Sequence, residues 1–346
     1  MTPKSLKYSD AGVDVGVWNA AKGRIGKLVS TTFTKDVVGC FGQFGGMFDI
    51  SSLKGMDEPV LVSSTDSVGT KVKVAFETNV HTSVGQDIVN HCINDILVLG
   101  ARPLFFLDYI GINKLIPEVA EQIISGLVAA CKAGNCVLIG GETAEMPGVY
   151  NKGEYDLVGC IVGVVDKSKI VDGRAIVPGN VAIGLRSSGL HTNGYSLARK
   201  IVREVAGKNY DDPFESSGKT IGQVLLAPHR AYSPVHSLMQ TGIIKGCAHI
   251  TGGGFQDNVD RVLPANCNAV IDTKTWTPDP IYKFLQTAGN VEIDEMYHTF
   301  NMGVGMVLVV DAKDADAVLK SPGIAAFEPK RIGYIKEGTG KVEMEY

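Results

Sequence analysis

The chain has 346 residues, 45% hydrophobic and 20% charged, which fits a soluble globular protein and suggests two domains. Its net charge of −4 gives no electrostatic footprint for nucleic acid or an anionic membrane, and no apolar run is long enough to suggest a membrane span. Seven cysteines, an odd number without a C-x-x-C pair, argue against zinc and a disulfide framework and fit free, mostly buried thiols in a reducing cytoplasm.

Met1–Asp10 is polar and lacks an apolar signal segment. Pro59–Ser64 reads as a buried strand ending at Thr65-Asp66, and Lys71–Phe76 as a second strand. Ser83–Leu99 has helical spacing, with Val84, Ile88, Cys92, Ile96 and Leu99 inward. Gly100 and Pro103 end that helix, and Leu104–Ile112 is a long strand. Pro117 opens a second helix, which stops at Gly134. Cys136–Ile139 and Tyr155–Val165 are strands. Asp166–Gly179 reads as a polar connection, so domains are expected at 1–170 and 171–346. Beyond it a strand is expected at Val181–Leu185 and helices near Tyr195–Val205 and Arg230–Thr241. Strands follow near Asn268–Ile271 and Gly305–Val310, with a helix near Ala312–Leu319. The mixture indicates two α/β or α+β domains.

Glycines cluster at Gly39–Gly46, Gly140–Gly141, Gly184–Gly194 and Gly252–Gly254, as in loops that approach a ligand. In Ser64-Thr65-Asp66-Ser67-Val68-Gly69-Thr70-Lys71 a strand delivers a carboxylate to a turn with a hydroxyl and a lysine. Such a set suits magnesium and phosphate; an ordinary hairpin turn is an equal alternative. Asp87, His91, Asn94 and Asp95 share one helix face. For Asp87 and His91 a solvated surface face is the preferred reading. Glu142 follows a strand and two glycines; with Asp66 and Asp95 it would make an oxygen-rich site suited to magnesium and not to zinc, and an ordinary strand-to-loop exit is an equal alternative. The loop Ser187–Gly194, with His191, leads into a helix and resembles an anion site. Thr251-Gly252-Gly253-Gly254-Phe255 offers free backbone N–H groups. Read alone, both loops are more simply connectors.

Taken in order, these segments resemble the aminoimidazole ribonucleotide synthetases, or phosphoribosylformylglycinamidine cyclo-ligases. The resemblance runs from Tyr8–Asp14 through Pro103–Tyr109, Gly140–Gly148, His191–Leu197, Leu225–Pro228, Thr251–Phe255 and Gln286–Val291 to Thr299–Met306. It departs from the family at Ser67, where a glycine is usual, and at Gly26, which displaces Lys27 by one position. Were position 67 at positive φ, serine would cost of order 1 kcal/mol.

The resemblance implies a cytoplasmic homodimer whose N-terminal mixed sheet pairs across the dimer into a barrel-like sheet, with a C-terminal α/β domain closing the cleft. It implies ATP, Mg2+ and formylglycinamidine ribonucleotide as the small-molecule substrate, with no role for nucleic acid or a membrane. Asp66, Asp95 and Glu142 are expected to hold the metal. Gly45, Gly46, Ser64, Gly69, Thr70, Lys71, Asn94, Gly141 and Thr143 are expected around the nucleotide. Ser188, Gly189, His191, Asn193, Gly252, Gly253 and Gly254 would face the substrate. His191, Lys71 and Asp66 are the expected catalytic residues. Relatives that transfer phosphate without ring closure, and a non-catalytic nucleotide-binding subunit, are the alternative readings.

Overall fold

The computed structural model describes residues 15–215 and 217–346; Tyr8–Asp14 and the polar stretch Met1–Asp10 lie outside them. The N-terminal half contains α1 (Val15–Ser30), the two-residue strands β1 (Val37–Val38) and β2 (Met47–Phe48), β3 (Pro59–Ser67), α2 (Val72–Thr78), α3 (Thr82–Leu97), β4 (Arg102–Ile112), α4 (Pro117–Ala133), β5 (Val137–Glu145) and β6 (Tyr155–Asp166). Its sheet has the order β3-β6-β4-β5. The first two pairings are antiparallel, and β4 pairs β5 in parallel through the crossover helix α4.

Helix α3 forms where the sequence places it. Val84, Ile88, Cys92 and Ile96 repeat at helical spacing and are buried. Gly100, at φ +84, turns the chain after it. Helices α3 and α4 pack so closely that a Cβ on Gly85 would lie 2.1 Å from the Ile123 carbonyl oxygen, and one on Gly126 would lie 2.0 Å from that of Thr82. Gly126→Ala should therefore push the helices apart and cost about 1–3 kcal/mol, read as a lower urea midpoint at unchanged m-value.

The sheet face away from α3 and α4 carries Leu61, 64% exposed, and the half-buried Phe105, Leu107, Val158 and Val162.

The C-terminal half contains β7 (Val181–Arg186), α5 (Tyr195–Lys200) continuing as a π-helical turn over Ile201–Val205, β8 (Pro213–Phe214), β9 (Lys219–Thr220), α6 (Ile221–Leu225), α7 (His236–Gln240), β10 (Ile244–His249), α8 (Gly254–Val259), β11 (Cys267–Asp272), α9 (Pro280–Gly289), α10 (Ile293–Thr299), β12 (Val304–Val310), α11 (Ala315–Leu319), β13 (Lys330–Glu337) and β14 (Val342–Glu345). The six-stranded sheet runs β10-β12-β7-β13-β11-β14. All its pairings are antiparallel except β11 with β14. Every residue of β12 is buried, because both sheet faces are covered. Val181, Ile183, Leu308 and Val310 pack with Met239 and Val318 on one face. Ala182, Val307 and Val309 belong with Phe255, Leu285 and Met296 on the other.

Two expected elements differ. Lys71–Phe76 is not a strand: Gly69–Lys71 makes a 3-10 turn that runs into α2. Its β-branched residues mislead locally, but Lys71, Val74 and Ala75, at i, i+3 and i+4, are buried. Arg230–Thr241 is helical only from Ser233 to Gln240, because Pro234 opens the turn. Ser67 ends β3 without a positive φ; Gly69, at φ +68, makes the turn instead. The expected strain at Ser67 is absent. All seven cysteines are free, with Cys40 exposed, Cys160 half-buried and the other five buried. Among the described residues no helix is long and apolar enough to cross a membrane.

Candidate active site

The end of β3, one face of α3 and three segments of the C-terminal half meet between the two sheets. Asp66 leaves β3 beside Ser64, and both face α3. The Asp66 carboxylate lies 3.0 Å from His91 Nε2, and Asp95 Oδ2 lies 3.7 Å from the same nitrogen. Asp95 also accepts from Ser64 Oγ at 2.9 Å and pairs with His249 Nδ1 at 2.9 Å. His249, at the end of β10, reaches His229 Nε2 at 3.0 Å. Thr192 Oγ1 closes the ring, 3.3 Å from His229 Nδ1 and 2.8 Å from His91 Nδ1. Asn94 supports it from below: its Nδ2 donates to the Arg230 carbonyl at 2.8 Å and its Oδ1 accepts from the Tyr232 N–H at 2.9 Å.

The electrostatics follow from these contacts. Burial disfavours the charged carboxylates, but hydrogen bonds and attraction from His91 and His249 outweigh it, so Asp66 and Asp95 are held below the usual range. Burial pulls His91 down, yet Asp66 and Asp95 together raise it. His191, His229 and His249 are lowered chiefly by burial and are neutral imidazoles.

Lys71 is fully buried, 2.8 Å from Asp87 Oδ2. Its Nζ donates to the carbonyls of His191 at 3.0 Å and Ala227 at 2.8 Å. Asp87 Oδ1 in turn accepts the His229 N–H at 2.6 Å. Burial pushes Lys71 down and Asp87 up, and the pairing opposes both shifts. Lys71 was expected on a phosphate; instead its ammonium clamps the loops of His191 and His229 to α3. Asp87 and His91 were expected on a solvated face, and both are buried. They turn inward because the C-terminal half covers α3.

Of the expected substrate-facing residues, His191 sits at φ +60 with Nδ1 buried and unpartnered, and its ring stacks on His229 at 4.0 Å. Its Nε2 accepts the Ser188 N–H at 3.2 Å, and Ser188 Oγ donates to the Pro228 carbonyl at 2.6 Å. The Gly189 carbonyl accepts from Asn301 at 3.0 Å. Asn193 Nδ2 is also buried and unpartnered, and its Oδ1 lies 3.4 Å from where a Cβ on Gly252 would be. Gly253 and Gly254 are at φ +87 and +62. Thr70 Oγ1 meets Ser196 Oγ at 3.0 Å, joining the Gly69 turn to α5.

Glu142 does not join Asp66 and Asp95 within one chain. Asp66 pairs with Gly159, Gly159 with Asp108, and Asp108 with Gly141. Glu142 therefore lies three strand spacings away, about 14 Å. It lines a cavity of 460 Å³ together with Gly45, Gly46, Gly141, Thr143, Lys22 and Asp108. Lys22 is a cation that sequence reasoning passed over, whereas Lys27, displaced by one position from the family pattern, is exposed on α1.

At the cavity Asp108 is pushed up to about 7 by burial. An aspartate unfolded has a pKa near about 3.9, so the folded state keeps a proton that the unfolded chain releases. Stability from this group should fall as pH rises from about 4 to about 7. Asp108→Asn should remove that slope, measured from urea midpoints across the interval.

Sequence reasoning also passed over His229 and His249. Each stands one or two residues outside a quoted motif, and a histidine among apolar residues, as in Cys247-Ala248-His249-Ile250, reads as core.

The chain, with its four-stranded mixed sheet and six-stranded sheet around a polar cleft, matches the AIR synthase related proteins. The N-terminal domain of that family matches residues 49–165 and its C-terminal domain residues 177–345. A thiamine-monophosphate kinase from Stenotrophomonas maltophilia shares the fold, with TM-score 0.70 and 16% identity over 93% of this chain and 95% of that one. The hydrogenase maturation protein HypE in complex with ATP does so with TM-score 0.65 and 15% identity, over 94% and 91%. A phosphoribosylformylglycinamidine cyclo-ligase of Geotalea uraniireducens is 49% identical over 320 residues, 92% of each chain. The chain belongs to the phosphoribosylformylglycinamidine cyclo-ligase family.

Proposed function

We propose that the protein closes the imidazole ring of formylglycinamidine ribonucleotide in purine biosynthesis, using ATP and releasing ADP and phosphate. The observation that carries this is the near-full-length identity with named cyclo-ligases. In the chemistry that reaction requires, the formyl amide oxygen takes the γ-phosphoryl group as its bond to ADP breaks, the amide N–H proton is lost, and the resulting O-phosphoryl imidate carries a phosphate leaving group. The amidine nitrogen attacks the same carbon, the C–O bond breaks, phosphate departs and the nitrogen's proton is lost. Positioning and charge neutralisation dominate both steps.

Asp66 and Asp95 are the residues that would hold Mg2+. They fit because both carboxylates are held charged and both keep partial exposure, 41% and 25%. The ion would neutralise phosphate charge. His191 is neutral and its Nε2 accepts from Ser188, so its unpartnered Nδ1 carries the ring proton and can donate a hydrogen bond to the substrate, but His191 does not act as a standing cation. Ser188, Gly189, Asn193 and Gly252–Gly254 are assigned to the substrate side. Gly45, Gly46, Gly141, Glu142, Thr143 and Lys22 are assigned to nucleotide at the cavity. Lys22 takes the phosphate-contacting role that Lys71 cannot fill.

A homodimer is part of this reading. The apolar face with Leu61, Phe105, Val158 and Val162 is a surface a second copy would cover. We place the domain boundary near residue 170 and the protein in the cytoplasm.

Purified protein with formylglycinamidine ribonucleotide, ATP and Mg2+ should form aminoimidazole ribonucleotide, ADP and phosphate in equal amounts. ADP formation without aminoimidazole, or with thiamine monophosphate as acceptor, would overturn the proposal.

A further inference from the structure

The carboxylates assigned to magnesium do not stand alone. Two imidazoles point at them, His91 through Nε2 and His249 through Nδ1. The separations are 3.0 Å from His91 Nε2 to Asp66 Oδ2, 3.7 Å from the same nitrogen to Asp95 Oδ2, and 2.9 Å from Asp95 Oδ1 to His249 Nδ1. Ligand atoms of His91, Asp95 and His249 all lie within 4.8 Å of one another. A tetrahedral zinc with bonds of about 2.0–2.2 Å sets its ligands about 3.3 Å apart, so the observed spacings bracket what such an ion needs.

A second feature points the same way. The far nitrogen of each ring is already engaged: His91 Nδ1 with Thr192 Oγ1 at 2.8 Å, and His249 Nε2 with His229 Nε2 at 3.0 Å. Imidazoles that bind metals are oriented through their other nitrogen in this way. Both rings are buried, so little new ordering accompanies binding. The neighbouring trio His191, His229 and His249 is also compact, but the His191 and His229 rings stack with only 20° between their planes. One ion cannot lie in both of those ring planes.

We propose that His91, Asp95 and His249 form a nitrogen-containing site of three protein ligands, with the fourth position left to water, for a borderline divalent cation of the Zn2+ or Co2+ class, which competes with Mg2+. Nitrogen ligands and four-fold geometry favour such ions, whereas Mg2+ prefers six oxygens. Occupation replaces the hydrogen-bond protons between the rings and the carboxylates. It would lock Asp95 away from a nucleotide-bound magnesium, so these cations act as inhibitors. The proposal shares Asp95 with the functional reading but rests on the imidazoles.

The test is Co2+ added to the chelator-treated full chain, followed by visible absorption. A tetrahedral Co2+ spectrum that saturates near one ion per chain is expected. Zn2+ should bleach it, and His91→Gln and His249→Gln should each abolish it while circular dichroism stays unchanged. A wild-type spectrum with only weak octahedral bands, a thiolate band in the ultraviolet, or a tetrahedral spectrum that survives both substitutions would overturn the proposal. The wild-type measurement decides even if a variant unfolds. Magnesium-supported turnover of the same preparation separates the two ideas. Turnover without tetrahedral Co2+ sinks this inference alone; tetrahedral Co2+ without ring closure sinks the functional reading alone.

Discussion

Lys71→Met should destabilise the protein by about 3–5 kcal/mol, because it leaves Asp87 buried without its counter-ion. Neither side chain has any exposure, so water cannot replace the lost partner. The substitution also frees the carbonyls of His191 and Ala227, loosening the loop that carries His191. Urea unfolding should show the loss as a lower midpoint. Replacing both members, Lys71→Met with Asp87→Leu, should recover much of the stability, since an apolar pair of similar volume removes the stranded charge. A contact with phosphate predicts the opposite pattern: a solvated lysine whose removal leaves the midpoint unchanged and raises only the KM for ATP. The two outcomes separate a clamp between the halves from a ligand for nucleotide.

Asp95→Asn should lower ring-closing turnover by roughly 10²–10³-fold while leaving the fold intact. His249 Nδ1 and Ser64 Oγ hold the two oxygens of Asp95 at 2.9 Å each; the asparagine oxygen keeps the first partner, and its amide N–H can donate to the Ser64 hydroxyl, which turns to accept. It removes the negative charge on which metal binding depends. Unfolding curves should therefore nearly superimpose, and the deficit should persist at saturating ATP. Near-normal turnover in this variant would take Asp95 out of the metal site.

The sequence and the structure agree where a local pattern is strong and part where tertiary packing decides. Helix α3 was legible because its apolar residues repeat over four turns, and α4 because Pro117 marks its start. Helix α2 was misread as a strand, since Val72 and Val74 alternate and only burial against the C-terminal half reveals a helical face. Asp66 and Asp95 could be paired through the family resemblance. No local pattern indicates that His249, 154 residues beyond Asp95 in sequence, completes that pair. Lys71 illustrates the limit most directly: a lysine after a glycine turn resembles a phosphate ligand in sequence, and only the covering loops turn it into a buried strut. Glu142 was grouped with Asp66 by residue chemistry, but the strand order puts β3 and β5 at opposite edges of the sheet.

Ring closure through an activated formyl oxygen can be followed atom by atom. Substrate labelled with ¹⁸O at the formyl amide should deliver that label to inorganic phosphate, one labelled phosphate for each aminoimidazole formed. Label recovered in water or formate, with phosphate unlabelled, would contradict phosphoryl activation as the way this protein closes the ring.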